Sequence, residues 1–340
     1  MKTLRFAISL ISMFILLINT NGQALHFSQY FYSPLNLNPA LTGVIDADWR
    51  VISNYRTQGS YFSQPLNTLS LSFDKYFEKQ NSKIGLGVLY NHDSSMGIVI
   101  PSDQFYVSGS GIARISENSY ASVGIQLGVV WRRISYFGLS FPDQYDRDIG
   151  DFNPNLPLLE NFDKKNTIYP DINAGVLWWT KQNKTTLLSG LSLYHINNPT
   201  DNFNTETNRV GMRINIHTSV EYRFNSQVYI RPQAYYSRQH KSSVFLIGSS
   251  VGIKVSNSKM ENIRGINVGA YVRNSFNSTP QSAIIIVGTD YKNWSAYLST
   301  DIDISGQKTK NVYNNAIELS LIYHRPFALL NKFTLPCIRY

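Results

Sequence analysis

Residues 212–224, MRINIHTSVEYRF, alternate apolar and polar side chains with a period of two. This is the period of an extended strand, whose successive side chains point to opposite faces. One face carries Met212, Ile214, Ile216, Thr218, Val220, Tyr222 and Phe224, and the other carries Arg213, Asn215, His217, Ser219, Glu221 and Arg223. The second face is too charged for the packed core of a sandwich. It faces either solvent on a soluble sheet or a wet lumen.

The same alternation recurs along the chain and predicts fourteen strands, most of them ten or more residues long. Strands of soluble proteins usually have about 5–6 residues, whereas strands that cross a membrane at a tilt need about 9–11. The predicted strands are 48–58, 66–77, 83–91, 103–114, 119–132, 170–180, 185–195, 209–224, 227–238, 243–255, 263–273, 281–291, 293–304 and 313–324. Their number and length favour a membrane barrel.

The connections alternate between short polar turns and longer segments. SENS follows the strand at 103–114 and KQNK follows 170–180, whereas the other set includes the long segment 133–169, with 239–242 as a short exception. Short turns on one side and long loops on the other are typical of outer-membrane barrels. We therefore predict an all-β fold, a transmembrane antiparallel barrel of about 14 strands, rather than a soluble sandwich. Both termini should be periplasmic, loop 133–169 should be outside, and the polar face with Arg213, His217, Glu221 and Arg223 should line the lumen.

The chain opens with a basic and then apolar leader. Lys2 and Arg5 precede the apolar stretch 6–18, which is shorter than the roughly 20 residues of a membrane-spanning helix. This pattern predicts a signal peptide over 1–22 rather than a membrane anchor, and hence export to the outer membrane. The remaining division is a periplasmic N-terminal segment at 23–47, the barrel at 48–325 and a C-terminal tail at 326–340.

Composition and spacing indicate no catalytic chemistry. The chain has 31 basic and 22 acidic residues, but they form no basic run, so a polar interior or contact with outer-membrane lipid explains the basic excess better than binding of nucleic acid. Cys337 is the only cysteine, which excludes an intramolecular disulfide and a cysteine metal site. His217 and Glu221 share a strand face but lie about 13 Å apart, too far to chelate one ion. We expect no enzyme activity, no metal and no cofactor.

HFSQYFYSPLNLNPALTG at 26–43, followed by YRTQ at 55–58, resembles the opening of the PorP/SprF family of type IX secretion system membrane proteins. Ser33 and Gly59 depart from that pattern, where Asn and Trp are usual. The matching residues are Phe27, Ser28, Gln29, Pro34, Leu37, Asn38, Pro39, Ala40, Gly43, Tyr55 and Arg56. Further similar segments are YPDINAG at 169–175, GLSLYHINNPTDNF at 190–203, IRPQAYYS at 230–237 and AIELSLIY at 316–323.

The resemblance implies an outer-membrane barrel that works with the type IX machinery of gliding and related bacteria. Family members support secretion of large substrates such as adhesins and are thought to hold their C-terminal domains at the cell surface. The implied partners are that machinery and the C-terminal domain of a large substrate. A periplasmic protein is a further candidate partner. The alternative function is a diffusion porin or small-solute channel.

Two segments supply candidate binding residues. The aromatic segment 26–43 has no strand or helix period, so it either plugs or packs against the barrel or docks a periplasmic partner; its candidates are Phe27, Tyr30, Phe31, Asn38 and Pro39. Segments as long as 133–169 are usually functional or disordered. Its aromatic residues either bind a partner or pack the loop onto the barrel, and they are Phe137, Phe141, Tyr145 and Phe152.

Overall fold

A computed structural model gives the structure of the protein. It describes residues 27–59, 65–79, 82–94, 101–134, 142–153, 155–156, 166–202, 208–255, 263–274, 281–304 and 315–326. The predicted signal peptide lies outside the described residues, as does the predicted tail beyond Pro326.

Fourteen antiparallel strands form a closed barrel, which confirms the predicted fold class. Each strand pairs with its neighbours in the wall, and β1 closes the ring by pairing with both β2 and β16. The barrel strands are β1 Trp49–Gln58, β2 Leu66–Lys79, β3 Ser82–Asp93, β4 Ser102–Arg114, β5 Ser119–Arg133, β8 Asn166–Gln182, β9 Thr185–Tyr194, β10 Arg213–Arg223, β11 Val228–Gln239, β12 Ser242–Lys254, β13 Ile263–Asn274, β14 Ser282–Tyr291, β15 Trp294–Asp303 and β16 Ala316–Arg325. Two short strands, β6 Tyr145–Asp146 and β7 Asp151–Phe152, form a separate hairpin.

The wall has an apolar outside and a polar inside. On β10, Ile216 is 49% exposed whereas the next residue, His217, is 1% exposed. On β13, Val268 faces out and Asn267 faces in. This inverts the pattern of a soluble protein and matches a wall that meets lipid. In the described part of the chain, no helix has the length and apolar character needed to cross a membrane.

The barrel has two distinct ends. One end, which we call the turn side, is where short connections join consecutive strands, and the opposite end is called the loop side. The turn-side connections are residues 80–81, 115–118, 183–184, 224–227, 255–262 and 292–293. β8 begins at Asn166, four residues before the predicted 170, and so shortens the predicted loop. Pro170 lacks an N–H, yet it pairs with Val129 inside the ladder. β10 begins at Arg213 rather than 209; Arg209 instead forms an isolated bridge with Thr200.

Residues 27–48 enter the barrel. The described part of the segment at 23–47 therefore lies in the lumen of the barrel. It forms three short helical turns, Tyr30–Tyr32, Pro34–Leu37 and Pro39–Leu41, and nearly all its residues are buried. Its side chains pack against the inward faces of the strands, where apolar surface leaves water.

Candidate functional site

The lumen segment, residues 27–48, which we call the plug, runs along the barrel from one end to the other. Trp49 starts β1 at the turn side. At the other extreme, Ser28 and Gln29 contact Asp301 and Glu318, which lie near the loop-side ends of β15 and β16. The plug therefore has three levels: a loop-side end, a middle and a turn-side end.

At the loop-side end, two arginines and two acids form a buried cluster around the plug. The Glu318 carboxylate accepts the backbone N–H groups of Ser28 (2.8 Å) and Gln29 (2.9 Å). Arg56 donates to Asp301 (3.0 Å) and to Glu318 (3.2 Å). Arg273 pairs with Asp301 at 3.0 Å. The two positive and two negative charges compensate one another, as buried charges require. We call these four side chains the loop-side ion cluster.

In the middle, Asn38 ties the plug to the wall. Its amide nitrogen donates to the carbonyl oxygens of Val176 (3.0 Å) and Leu191 (3.3 Å), and its amide oxygen accepts from the N–H of Ala40 (2.9 Å). The same amide nitrogen lies 3.2 Å from Nε2 of His217. Asn38 is fully buried, so each of these bonds forms away from water.

Glycines on the wall make room for this close approach. A Cβ added at Gly124 would lie 2.4 Å from the Pro39 carbonyl, and one added at Gly85 would lie 2.2 Å from the Thr42 oxygen. Added at Gly175, it would overlap the Asn38 amide. No side chain fits these distances, so the inward-facing glycines form a seat shaped for the plug backbone.

At the turn-side end, an ion pair holds the bend that leads into β1. Gly43 has a φ of +70°, a left-handed conformation that glycine adopts most readily. Its N–H donates to Asp74 (2.8 Å), and Arg50 donates two hydrogen bonds to the same carboxylate, at 2.9 and 3.0 Å. Arg50 and Asp74 are buried.

Aromatic rings fill the space between these anchors. Tyr32 stacks on Tyr297 with ring centroids 3.8 Å apart. Tyr30 stacks on Tyr235 at 4.6 Å, and Phe31 meets the ring of His217 edge-on. Such ring pairs add to the stability that burial of their apolar area already provides. Among the described residues, the plug and the wall thus form one packed core.

Comparison with known families identifies the chain. The family model of the type IX secretion system membrane protein PorP/SprF matches residues 19–323. The chain belongs to the PorP/SprF family. No curated protein matches it.

Solved structures similar to this PorP/SprF-family protein are outer-membrane barrels. The TodX monoaromatic hydrocarbon channel deltaS2 mutant is 7% identical, with 86% of this chain and 93% of that chain covered and a TM-score of 0.53. The toluene transporter TbuX of Ralstonia pickettii is 10% identical (91% and 96% covered, TM-score 0.51), and the CymD monoaromatic hydrocarbon channel is 12% identical (92% and 96%, 0.52). At these identities the likeness shows the fold alone. Family and fold together place the protein in the bacterial outer membrane.

Four of the residues that carry the PorP/SprF resemblance help to hold the plug. Ser28, Gln29 and Arg56 meet at the loop-side ion cluster, and Asn38 anchors the middle. The predicted candidates Phe27, Tyr30, Phe31, Asn38 and Pro39 are all buried within the lumen.

The polar residues predicted to line the lumen of this PorP/SprF-family barrel lie on the inward face of β10. His217 and Glu221 are buried, and Arg223 donates to Glu221 at 2.8 Å. The guanidinium of Arg213 lies over the ring of Tyr194. These four residues do not form one site: His217 contacts the plug, whereas Glu221 and Arg223 lie nearer the turn side.

The loop candidates are only partly described. Tyr145 and Phe152 face each other across the β6–β7 hairpin with ring centroids 5.5 Å apart, and they are 48% and 45% exposed. Phe137 and Phe141 lie outside the described residues.

Sequence reasoning did not identify several residues of the plug site. The sequence did not predict three of them, Asp74, Arg273 and Asp301, because each is a single polar residue on a strand of alternating pattern. The feature that could have identified them is their position, because each lies on the inward face of its strand, where a charge needs a partner. Among the described residues, His, Cys, Asp and Glu form no group of three that could hold a metal ion.

Proposed function

We propose that this protein is a protein-binding barrel of the type IX secretion system that supports secretion and surface attachment of large substrates such as adhesins, without catalysis. The observation that carries the proposal is the plug. A segment held at three levels by buried ion pairs, an asparagine and a glycine seat makes the lumen a rigid core. Partner binding then falls to the surfaces at the two ends of the barrel.

The β6–β7 hairpin supports a role in binding at the loop side. Tyr145 and Phe152 expose a pair of rings on a short, hydrogen-bonded hairpin. Exposed aromatic residues on a rigid support are typical of interface anchors. The C-terminal domain of a secreted substrate is the partner that the family assignment suggests for this surface.

The second candidate function is a small-solute channel. It is suggested by the solved structures of similar fold, which are hydrocarbon channels and a toluene transporter. The packed plug opposes it, since a solute would have to displace Asn38 and its hydrogen bonds from the middle of the lumen.

A deletion strain tests the proposal. One or a few large surface proteins should disappear from the surface proteome, while uptake of small solutes stays normal. Complementation with Tyr145→Ser/Phe152→Ser should leave the barrel assembled but fail to restore those proteins. The matched control is Ile115→Ser, which removes an exposed apolar side chain at the opposite, turn-side end and should restore them.

The channel function would replace this proposal under two combined results. The surface proteome of the deletion strain would be unchanged, and the purified protein in liposomes would pass sugars freely.

A further inference from the structure

The turn-side end holds a cavity of about 860 Å³. Asp46 and Ala47, at the base of the plug, form part of its lining, together with strand ends and short turns. Its volume falls within the range of about 300–1,000 Å³ that is usual for ligand pockets. The cavity is therefore large enough to receive part of another molecule.

Basic side chains outnumber acidic ones around this cavity. Six are Lys or Arg, against four carboxylates. The basic residues are Lys181, Arg223, Arg231, Lys254, Arg264 and Lys292. The cavity thus carries a positive excess of two charges, which attracts anions.

Two of the four carboxylates are occupied by partners within the wall. Glu221 accepts from Arg223 (2.8 Å) and from Arg231 (2.7 Å). Asp290 accepts from the hydroxyl of Ser295 at 2.6 Å. By contrast, Lys181 and Arg264 form no ion pair within the described part of the chain. The positive charge at the rim is therefore available to an incoming group.

The positions of the cations select the kind of anion. Lys181 is the last residue but one of β8, Arg264 is the second residue of β13, and Lys292 lies in the turn after β14. Arg264 and Lys292 lie close together, because Ile263 pairs with Tyr291 across β13 and β14, whereas Lys181 lies on β8, five strands away around the ring. A single phosphate or carboxylate would reach either that pair or Lys181, whereas a chain bearing several carboxylates would reach all three. Lys and Arg bind carboxylates through charge-assisted hydrogen bonds.

We propose that the turn-side cavity is a binding site for an acidic peptide segment of a partner protein, which enters from the turn side and meets the base of the plug at Asp46. This site is separate from the loop-side hairpin and goes beyond the proposed function. On the predicted topology its partner is periplasmic.

Binding of a fluorescein-labelled hexaglutamate peptide to the purified full protein in detergent tests this proposal by fluorescence anisotropy. The triple variant Lys181→Gln/Arg264→Gln/Lys292→Gln should bind about tenfold more weakly, because each exposed charge pair contributes a factor of about two to three. The control is Arg209→Gln/Arg238→Gln/Lys241→Gln, which removes three exposed loop-side cations and should bind like the wild type. Heat-dependent gel mobility verifies that both variants are folded barrels.

Three further measurements show which kind of ligand the cavity binds. Binding should weaken as NaCl rises, and less steeply in the turn-side variant. Equal affinity for a hexalysine peptide, or equal loss in the turn-side and loop-side variants, would refute the site. Inorganic tripolyphosphate that binds as tightly as the peptide would refute a site for acidic peptides, because a compact anion would then bind the cavity equally well.

Discussion

Gly124→Ala tests whether the plug is seated as tightly as the structure indicates. The added Cβ would lie 2.4 Å from the carbonyl carbon and oxygen of Pro39 and 2.5 Å from the nitrogen of Ala40, whereas ordinary contact begins at 3.4 Å. The plug backbone would have to move by about 1 Å to restore contact. It cannot slide freely, because Glu318 holds it above and Asp74 holds it below. Overpacking of this kind typically lowers the free energy of unfolding by about 1–3 kcal/mol.

Gly111→Ala is the matched control. Gly111 lies on β4 with nothing within 4 Å of an added Cβ, and replacing a strand glycine by alanine typically adds about 0.5–1 kcal/mol. The two substitutions should therefore change stability in opposite directions. Urea titration in lipid vesicles, followed by tryptophan fluorescence, measures both. If Gly124→Ala unfolds at the same or a higher urea concentration than the wild type, the seat does not constrain the plug.

Three other predictions concern the ion cluster, the lipid face and the topology. Glu318→Gln should lower the free energy of unfolding by about 3–5 kcal/mol, because it leaves buried arginine charge uncompensated; a urea midpoint close to wild type would contradict this. Ile216→Arg should impair assembly by about 2–4 kcal/mol near the membrane midplane, whereas Arg213→Gln should assemble normally; equal tolerance of both would argue against a lipid-facing Ile216. Protease added to intact cells should cut within 133–169 and spare 115–118, and the reverse pattern of fragments would show that the barrel is inverted.

The wall could be predicted from sequence because lipid and lumen impose opposite chemistry on alternate residues. This alternation repeats along every strand, so β10 could be identified from one stretch of thirteen residues. Strand ends were less certain. The predicted strand began at 170, yet residues 166–169 also belong to β8, and Pro170 pairs with Val129 although it lacks an N–H donor.

The path of the plug could not be predicted by the same means. Residues 27–48 have no period, and their partners are far away in sequence: Ser28 bonds Glu318 across 290 positions. The glycine seat is equally hidden, since Gly85 and Gly124 resemble any other strand glycines until the plug backbone lies against them. Family resemblance singled out Asn38 and Arg56, but the contacts that explain them appear only in three dimensions.

The loop-side ion cluster has a consequence for how the barrel is built. Arg56 belongs to the first strand and Glu318 to the last, and these strands meet at the seam that closes the ring. Their hydrogen bonds are complete only when Ser28 and Gln29 are in place between them. A ring without the plug would leave the Glu318 carboxylate without two of its N–H donors. Closure of the seam and entry of the N-terminal segment therefore favour each other.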